Sequence, residues 1–228
     1  MKPKLQFDEG YFTPYWNDEK RKESYLKEIA WIDRHVSDVH KVLDFGCGLG
    51  FLSKELLKKN YEVTSCDISS YAINFCKLNV NPNAFVIKSS RFEELDSEIF
   101  DLIIMRGVFQ HLQSPTDTID LLKSHVRIGG YFAILATPNI ESKAYRVTGK
   151  LPTLTWKVVR NLPSLSSIRH ALEYSDFEIL VIQKPYFFSG YAAPIKDIAK
   201  YLLNLLGLKV GMGAFPGNVV NVLGVRVR

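Results

Sequence analysis

The segment over residues 41–59 constrains the fold of this chain more than any other part of the sequence. Val42, Leu43 and Phe45 form a short apolar run of the kind found in buried strands. Glycines follow at alternate positions, 46, 48 and 50, and a helical pattern covers residues 51–59. Glycine lets backbone N–H groups approach a ligand without an intervening Cβ. The segment therefore predicts a strand–turn–helix unit with a ligand bound at the turn.

Asp44, two residues before the first glycine, discriminates between ligands for this turn. A dinucleotide-binding turn has the spacing Gly-x-Gly-x-x-Gly, and its last glycine would fall at Phe51 in this chain. The Asp44 carboxylate would also repel a pyrophosphate, whereas it would attract a ligand that carries an ammonium and a sulfonium group. These features favour S-adenosylmethionine as the cofactor, with an NAD-dependent oxidoreductase as the weaker alternative.

A second acidic residue, Asp67, follows the next predicted strand, residues 61–66. In nucleotide-binding βαβ units an acid about 20 residues after the glycine turn contacts the ribose hydroxyls. Asp67 lies 17 residues after Gly50. We therefore expect it to bind ribose at the same site.

Predicted strands and helices alternate along most of the chain. The strands are residues 41–45, 61–66, 84–88, 101–105, 130–136, 177–183 and 218–227, and the helices are 19–36, 51–59, 70–79, 117–126, 164–174 and 195–206. This alternation predicts an α/β fold: a Rossmann-like, doubly wound, mostly parallel seven-stranded sheet with helices on both faces. Ligands bind at the carboxyl ends of such strands, where Asp44, Asp67, Met105 and Arg106 fall.

Four further segments match patterns of a known family. They are residues 100–105 as a fourth strand, 108–115 as a Val-Leu-x-His-Leu-x-x-Pro pattern, 127–132 as a Gly-Gly turn with a fifth strand, and 137–139 as a closing Thr-Pro-Asn. With the glycine turn, they resemble the class I S-adenosylmethionine-dependent methyltransferases, in particular bacterial small-molecule enzymes of glycan and quinone biosynthesis. The resemblance is good over residues 25–140 and looser over the final third.

The resemblance implies a cofactor site in this chain. Its expected members are Asp44, Gly46, Cys47, Gly48, Gly50, Asp67, Ile68, Phe92 and Met105. The chain departs from the family pattern at Arg91, where an acid usually meets the adenine amino group, so we expect backbone groups near Phe92 to bind adenine. Gln110 also stands where the family more often has glutamate.

Methyl transfer to a hydroxyl requires a base, and His111 is the best candidate because histidine titrates near neutral pH and this one follows the fourth strand. Packing at a helix start is the alternative role. Arg106 is the candidate for binding an acceptor phosphate or carboxylate. Tyr11, Tyr15 and Trp16 are interpreted either as a lid over the cofactor or as ordinary packing. No metal-ligand spacing occurs.

The chain has 228 residues and a net charge of +5, and six basic residues against one acidic residue lie between positions 141 and 170. This stretch is either a solvated face or a surface that attracts an anionic acceptor or a membrane. An RNA methyltransferase is a further alternative. Only Tyr145 and Trp156 interrupt the basic stretch as aromatic residues, so no stacking platform and no nucleic-acid partner are expected.

We predict one methyltransferase domain over residues 1–228, divided into an N-terminal lid and helix (1–37), a cofactor-binding core (38–139) and two acceptor-side insertions (140–163 and 185–216). Three scattered cysteines indicate reduced thiols and a cytoplasmic location. The apolar helix 195–206 is expected to cap the core, with peripheral membrane contact as the alternative. The predicted function is O-methylation of a small anionic, carbohydrate or lipid-linked acceptor, and the alternative is a non-catalytic cofactor-binding module.

Overall fold

A computed structural model describes residues 7–13, 19–88, 91–151, 154, 158–186, 193–208, 210 and 215–228. The helices are α1 Glu9–Phe12, α2 Glu19–Asp33, α3 Phe51–Leu57, α4 Ser70–Asn79, α5 Pro115–Lys123, α6 Lys143–Thr148, α7 Leu165–Tyr174 and α8 Pro194–Leu205. The strands are β1 Lys41–Phe45, β2 Glu62–Asp67, β3 Ala84–Val86, β4 Phe100–Arg106, β5 Val126–Pro138, β6 Phe177–Gln183 and β7 Val219–Arg226. Short 3-10 helices cover Glu93–Leu95 and Phe109–His111.

The seven strands form one sheet in the order β3-β2-β1-β4-β5-β7-β6. The pairs from β3 across to β5 are parallel, and β7 runs antiparallel to both β5 and β6. The predicted Rossmann-like, mostly parallel sheet is therefore confirmed. Because β1 and β4 are parallel, the turns after them lie at the same edge of the sheet. The strand order reverses between these two strands, and ligands bind in the crevice at such a point in this architecture.

Apolar side chains alternate between the two faces of the sheet and are covered on both sides. On one face Val42, Leu102 and Ile104 pack with residues of α2 and α3. On the other face Leu43 and Ile103 pack with residues of α5 and α7. Strands buried on both faces need nearly continuous apolar sequence, which explains why β1 and β4 were recognisable from the sequence. A polar residue within these strands therefore stands out, and Asp44 is one.

Strand β5 is longer than predicted. The sequence interpretation placed a Gly-Gly turn before a strand that begins at residue 130, but the strand already begins at Val126. Gly129 has a φ of +75°, and the pairing with β4 shifts register between Phe100 and Leu102. Between these pairs β4 advances by two residues and β5 by five, so the irregularity absorbs three extra residues without ending the strand. The glycines therefore mark a bulge rather than a turn.

The predicted cap role of the helix over residues 195–206 is wrong. In the structure this helix is α8, and its buried residue is Asp197, whereas Ile195 and Leu202 are exposed. Periodicity showed that the helix has an apolar face but could not show which way that face points. Among the described residues, no helix has the length and apolarity needed to cross a membrane. Helices α1 and α6 were not predicted.

Candidate active site

The glycine turn lies at the carboxyl end of β1 and is packed between β4 and α4. The Gly46 N–H group donates to the Cys66 carbonyl of β2 at 2.8 Å. Gly46 and Gly50 have φ of +75° and +82°. A Cβ at these positions would lie 2.3 Å from a Val108 methyl group and 2.4 Å from the Cys76 sulfur, respectively. Only glycine fits either position, so the course of the turn is rigidly determined.

Asp44 is buried beneath the turn, with 1% of its surface exposed. The Ser53 hydroxyl on α3 donates to its carboxylate at 2.6 Å and lies 2.8 Å from the Ser65 hydroxyl on β2. The Asn81 amide donates to Ser65 at 2.9 Å and completes a buried polar network. Burial raises the pKa of Asp44 to about 6, although the bond from Ser53 opposes the rise. The carboxylate is thus close to titrating at neutral pH.

Asp67 ties the glycine turn to the start of α4. Its two carboxylate oxygens accept the backbone N–H groups of Gly48 and Ser69, at 2.9 and 2.8 Å. Burial raises the pKa of Asp67, while these two N–H donors lower it. The carboxylate therefore has a structural role that the sequence interpretation did not include. Each oxygen still has a second lone pair for a ligand hydroxyl.

The other residues expected at the cofactor site occupy different environments. The Cys47 N–H group donates to the Cys66 carbonyl at 2.9 Å, and its side chain packs beside α4. Ile68 is exposed next to Asp67, and Phe92 is buried with its ring edge on Phe45. Met105 is fully buried in the core and offers no exposed surface to a cofactor. The structure favours a packing role for Met105, and the predicted cofactor contact stays a prediction.

The N-terminal segment covers the glycine turn. Phe12 on α1 is buried, and its ring lies 3.2 Å from the position that a Cβ on Gly48 would occupy. The Ser69 hydroxyl donates to the Phe7 carbonyl at 2.5 Å, which ties the segment to α4. Tyr11 lies in the same helix, and its lid role stays a prediction. The other two predicted lid residues, Tyr15 and Trp16, lie outside the described part of the chain.

His111 lies at the same edge of the sheet, within the 3-10 helix after β4. Its Nδ1 is 3.1 Å from the Val158 carbonyl and its Nε2 is 3.2 Å from the amide nitrogen of Gln110. A carbonyl oxygen only accepts, so Nδ1 carries the proton and Nε2 is the basic nitrogen. Burial lowers the pKa of His111 below its usual 6.5, although the bond to Val158 opposes this. The rings of Phe7 and Tyr11 contact the imidazole edge-on.

Residues after α6 clamp the segment that carries His111. The N–H group of Arg160 donates to the Gln110 carbonyl at 2.8 Å. The Asn161 side chain donates to the carbonyls of Phe109 and Leu112, both at 2.8 Å. The acceptor-side insertion predicted at 140–163 thus contacts the candidate base directly. Gln110 Oε1 is buried and has no hydrogen-bond partner among the described residues.

Arg106 has a partner that the sequence did not predict. Its Nε donates to Glu28 of α2 at 2.5 Å, and its guanidinium lies over the Tyr25 ring, 4.4 Å from the centroid. An arginine paired in this way binds an acceptor anion only if Glu28 releases it, so the structure favours a role in holding α2 against β4. Acceptor binding by Arg106 stays a prediction. Among the described residues, no group of three or more His, Cys, Asp and Glu side chains is placed to hold a metal ion.

Several residues of this site had no signal in the sequence. Ser53, Ser65 and Asn81 are ordinary polar residues whose role appears only when α3, β2 and the turn after α4 are packed together. Phe12 gave a weak signal through the aromatic composition of the N-terminal segment. Glu28 could have been found as the acidic residue on the apolar face of α2.

The strand order, the glycine turn flanked by two acids and the histidine at the same edge define the class I S-adenosylmethionine-dependent methyltransferase fold. A family model described as a methyltransferase domain matches residues 17–182. The chain therefore belongs to this methyltransferase family, and the resemblance found in the sequence is confirmed.

Relatives with similar sequences match only part of this chain. It is 28% identical over 141 residues to a ubiquinone biosynthesis O-methyltransferase of Stutzerimonas stutzeri, an alignment of 57% of this chain and 60% of the relative. It is 33% identical over 97 residues to a malonyl-[acyl-carrier protein] O-methyltransferase of Halalkalibacterium halodurans, with 39% and 36% covered. The chain thus spans about 60% or less of the length of these relatives.

The fold also matches solved structures over nearly its whole length. A SAM-dependent methyltransferase from Archaeoglobus fulgidus superimposes with a TM-score of 0.63 at 18% identity, covering 95% of this chain and 98% of that one. At this identity the match establishes the fold. The predicted cofactor, S-adenosylmethionine, is confirmed at the level of the family.

Proposed function

We propose that this chain transfers the methyl group of S-adenosylmethionine to an oxygen atom of a small acceptor that is anionic or lipid-linked. The observation that supports this best is the juxtaposition at one sheet edge of a rigid glycine turn, the buried Asp44, the partly buried Asp67 and a histidine whose pKa burial lowers. Bound S-adenosylmethionine supplies an electrophilic methyl group on its sulfonium. The protein has to hold the cofactor, orient the acceptor and remove the acceptor proton.

Asp44, Asp67 and the glycine turn hold the cofactor in this proposal. Asp67 accepts ribose hydroxyls through the lone pairs that Gly48 and Ser69 leave free. Asp44 attracts the cationic methionine end, because a charge of opposite sign stabilises a buried carboxylate in its ionised form. Ile68 and Phe92 flank the adenosine, and Phe12 and Tyr11 cover it from the N-terminal side.

His111 is the base in this proposal. Its Nδ1–H group is directed at Val158, which orients the lone pair of Nε2. When no substrate is bound, Nε2 accepts a hydrogen bond from the Gln110 amide. An acceptor hydroxyl takes the place of that amide and passes its proton to Nε2. Because burial lowers the pKa of His111, the neutral form is already the main one at pH 7.

The acceptor class rests on charge and on the names of the relatives. The segment that contacts His111 through Val158 carries four exposed basic residues, Lys143, Arg146, Lys150 and Arg160. Such a cluster attracts an anionic group. Both relatives are named O-methyltransferases, which favours oxygen as the methylated atom. The first belongs to quinone biosynthesis, which favours that part of the sequence expectation over glycan biosynthesis. A single domain and a cytoplasmic location complete the proposal.

Calorimetric titration with S-adenosylhomocysteine tests cofactor binding. We expect the wild-type chain to bind, and Asp44→Asn to bind about tenfold or more weakly, because the buried countercharge is lost. Asp101→Asn is the matched control, since Asp101 pairs with Arg127 and the N–H groups of His40 and Lys41 at the opposite edge of the sheet. Absence of binding to the wild-type chain would reject the proposal.

Transfer of a labelled methyl group to a panel of lipid-linked phenols, nucleotide sugars and lipid-linked glycans tests the chemistry. His111→Gln should lower the rate by about 100-fold or more without weakening cofactor binding. The wild-type rate should fall as the pH drops below the usual histidine pKa of about 6.5, because His111 becomes protonated there and burial lowers its pKa. His125→Gln is the control, because His125 bonds the Glu98 carbonyl on the opposite edge. Cofactor binding without transfer to any acceptor would favour the non-catalytic module.

A further inference from the structure

Helix α8 is amphipathic in the reverse sense: its polar side faces the protein and its apolar side faces solvent. Asp197 is only 4% exposed, and its carboxylate accepts from the Tyr186 hydroxyl and the Ala193 N–H group, both at 2.9 Å. Ile195 is 85% exposed and Leu202 is 53% exposed. A helix that packs on a core buries its apolar side instead. Asp197 and Tyr201, which stacks on Phe215, therefore hold the inward side of α8, and the opposite, apolar side is left exposed.

The exposed apolar residues of α8 form a continuous stripe. They are Ile195, Ile198, Leu202, Leu205 and Leu206. Spacings of three and four residues place side chains above one another on the same side of a helix. The helix has 12 residues and is about 18 Å long. Monomeric soluble proteins rarely expose a contiguous apolar stripe of this length, and such a patch marks an interaction surface.

Exposed basic side chains lie on α8 and on or just after the neighbouring helix α6. Helix α6 packs against α8 and adds Lys143 and Arg146, which are exposed together with the nearby Lys150. Lys196 is exposed on α8 itself. None of the ion pairs between described residues involves any of these four cations. The acid of α8, Asp197, is turned inward, and the four exposed cations are called the basic rim of the stripe.

We propose that the α6–α8 face docks on the surface of an anionic phospholipid bilayer. A helix with leucine and isoleucine on one side and lysine at its flanks inserts its apolar side at the boundary between headgroups and acyl chains. Each nearby lysine or arginine adds attraction to anionic headgroups. A second copy of this chain is a poorer occupant, because two such faces would bring like charges together around a shared apolar centre.

The docking face lies at the edge of the sheet that carries the candidate active site. Helix α6 follows the carboxyl end of β5, and α8 connects the end of β6 to the start of β7, which reaches the same edge because β7 is antiparallel. A chain docked in this way presents its glycine turn and His111 towards the membrane side. This consequence rests on the proposed function, because it supplies a lipid-linked acceptor to that site. The docking itself does not depend on methyl transfer.

Vesicle sedimentation tests the docking with the full chain. We expect the wild-type chain to sediment with vesicles that contain about one-third phosphatidylglycerol and to stay in solution with pure phosphatidylcholine. The double variant Ile198→Gln/Leu202→Gln should reduce the bound fraction about tenfold. The control, Leu78→Gln/Leu121→Gln, changes two exposed leucines on other helices and should bind like the wild type. Increased salt should weaken binding, because it screens the contribution of the basic rim.

Other outcomes would overturn the proposal. Equal binding to both lipid compositions would remove the role of the basic rim, and unchanged binding of the α8 variant would remove the role of the stripe. A concentration-dependent dimer that the α8 variant dissociates, without vesicle binding, would assign the face to a second copy. Titration with S-adenosylhomocysteine on the same α8 variant shows whether it is folded. A wild-type chain that binds S-adenosylhomocysteine but not the vesicles would reject the docking alone and leave the proposed function standing.

Discussion

At the scale of one residue, burial of the Asp44 carboxylate costs stability that the proposed binding of a cationic ligand would offset. Its pKa is about 6 in the folded chain against 3.8 for an unperturbed aspartate. The folded state holds this proton more tightly than the unfolded state does. The contribution of Asp44 to the free energy of unfolding is therefore greatest below about pH 4 and is lost as the pH rises through about 6. The full loss is roughly 3 kcal/mol, reached above the folded pKa. A bound cation would recover part of it.

Asp44→Asn should therefore stabilise the chain without cofactor at pH 7.5, by up to about 3 kcal/mol, while it weakens binding of S-adenosylhomocysteine. Urea unfolding at several pH values between about 4 and 7.5 measures this, and the gap between variant and wild type should widen across that window. Asp101→Asn should instead destabilise the chain. Despite partial burial, the pKa of Asp101 is lowered by the N–H groups of Lys41 and His40 and by Arg127. Equal destabilisation by both variants would contradict the argument.

The sequence predicted those site residues whose role depends on short spacing along the chain. The alternating glycines, Asp44 and Asp67 follow strands and precede helices, so local pattern alone brings them to one edge. It did not predict the pairing of Arg106 with Glu28, which are 78 residues apart. Nor could it show that Ser53 donates to Asp44, because that bond depends on how α3 packs against β1. Side-chain partners set by tertiary packing carry no periodic signal.

At the scale of elements, α1 joins the two halves of the candidate site. It is only four residues long, so packing rather than helix propensity has to stabilise it. Its packing partners lie on both sides of the glycine turn: Phe12 stacks on Tyr71 of α4, and Tyr11 contacts His111 after β4. In the proposed function, a segment held in this way would cover the bound cofactor and orient His111.

Phe12→Ala should weaken binding of S-adenosylhomocysteine about tenfold, because a buried aromatic ring no longer holds the lid against the turn. It should also make cleavage near the N-terminus by chymotrypsin faster, and the ligand should protect the wild type more than the variant. Thr13→Ala is the control within the same segment, since its hydroxyl only bonds the Glu9 carbonyl. Unchanged affinity together with unchanged cleavage would show that α1 is not a lid.

The elements themselves were predicted with uneven success, for identifiable reasons. Strands β1, β4 and β6 are apolar runs bounded by turns, and Ser164 is the expected cap of α7, where it takes part in a capping box. Helix α6 is too short for a periodic pattern. The orientation of α8 depends on Asp197 and its partner Tyr186. A hydrophobic pattern records that an apolar side exists and contains no information about what covers it.

At the scale of the whole molecule, one edge of the sheet collects the cofactor turn, the candidate base and the docking face. This is a consequence of topology: parallel strands bring their carboxyl ends together, and the antiparallel strand β7 begins at that same edge, so the segment that precedes it lies there too. The acceptor-side segments after β5 and β6 therefore lie where the chemistry is expected. A membrane surface at this edge would bring an acceptor within reach without its leaving the bilayer.

If both proposals hold, the α8 variant Ile198→Gln/Leu202→Gln should distinguish between acceptors that differ only in location. For an acceptor embedded in anionic vesicles, kcat/KM should fall about tenfold, because the enzyme no longer concentrates at the surface. For a short-chain, water-soluble form of the same acceptor, kcat/KM should equal that of the wild type, since α8 contributes no residue to the chemistry. Parallel assays with Leu78→Gln/Leu121→Gln should show wild-type rates on both. An equal fall on both acceptors would mean that α8 supports the active site itself, and the membrane would have no part in catalysis.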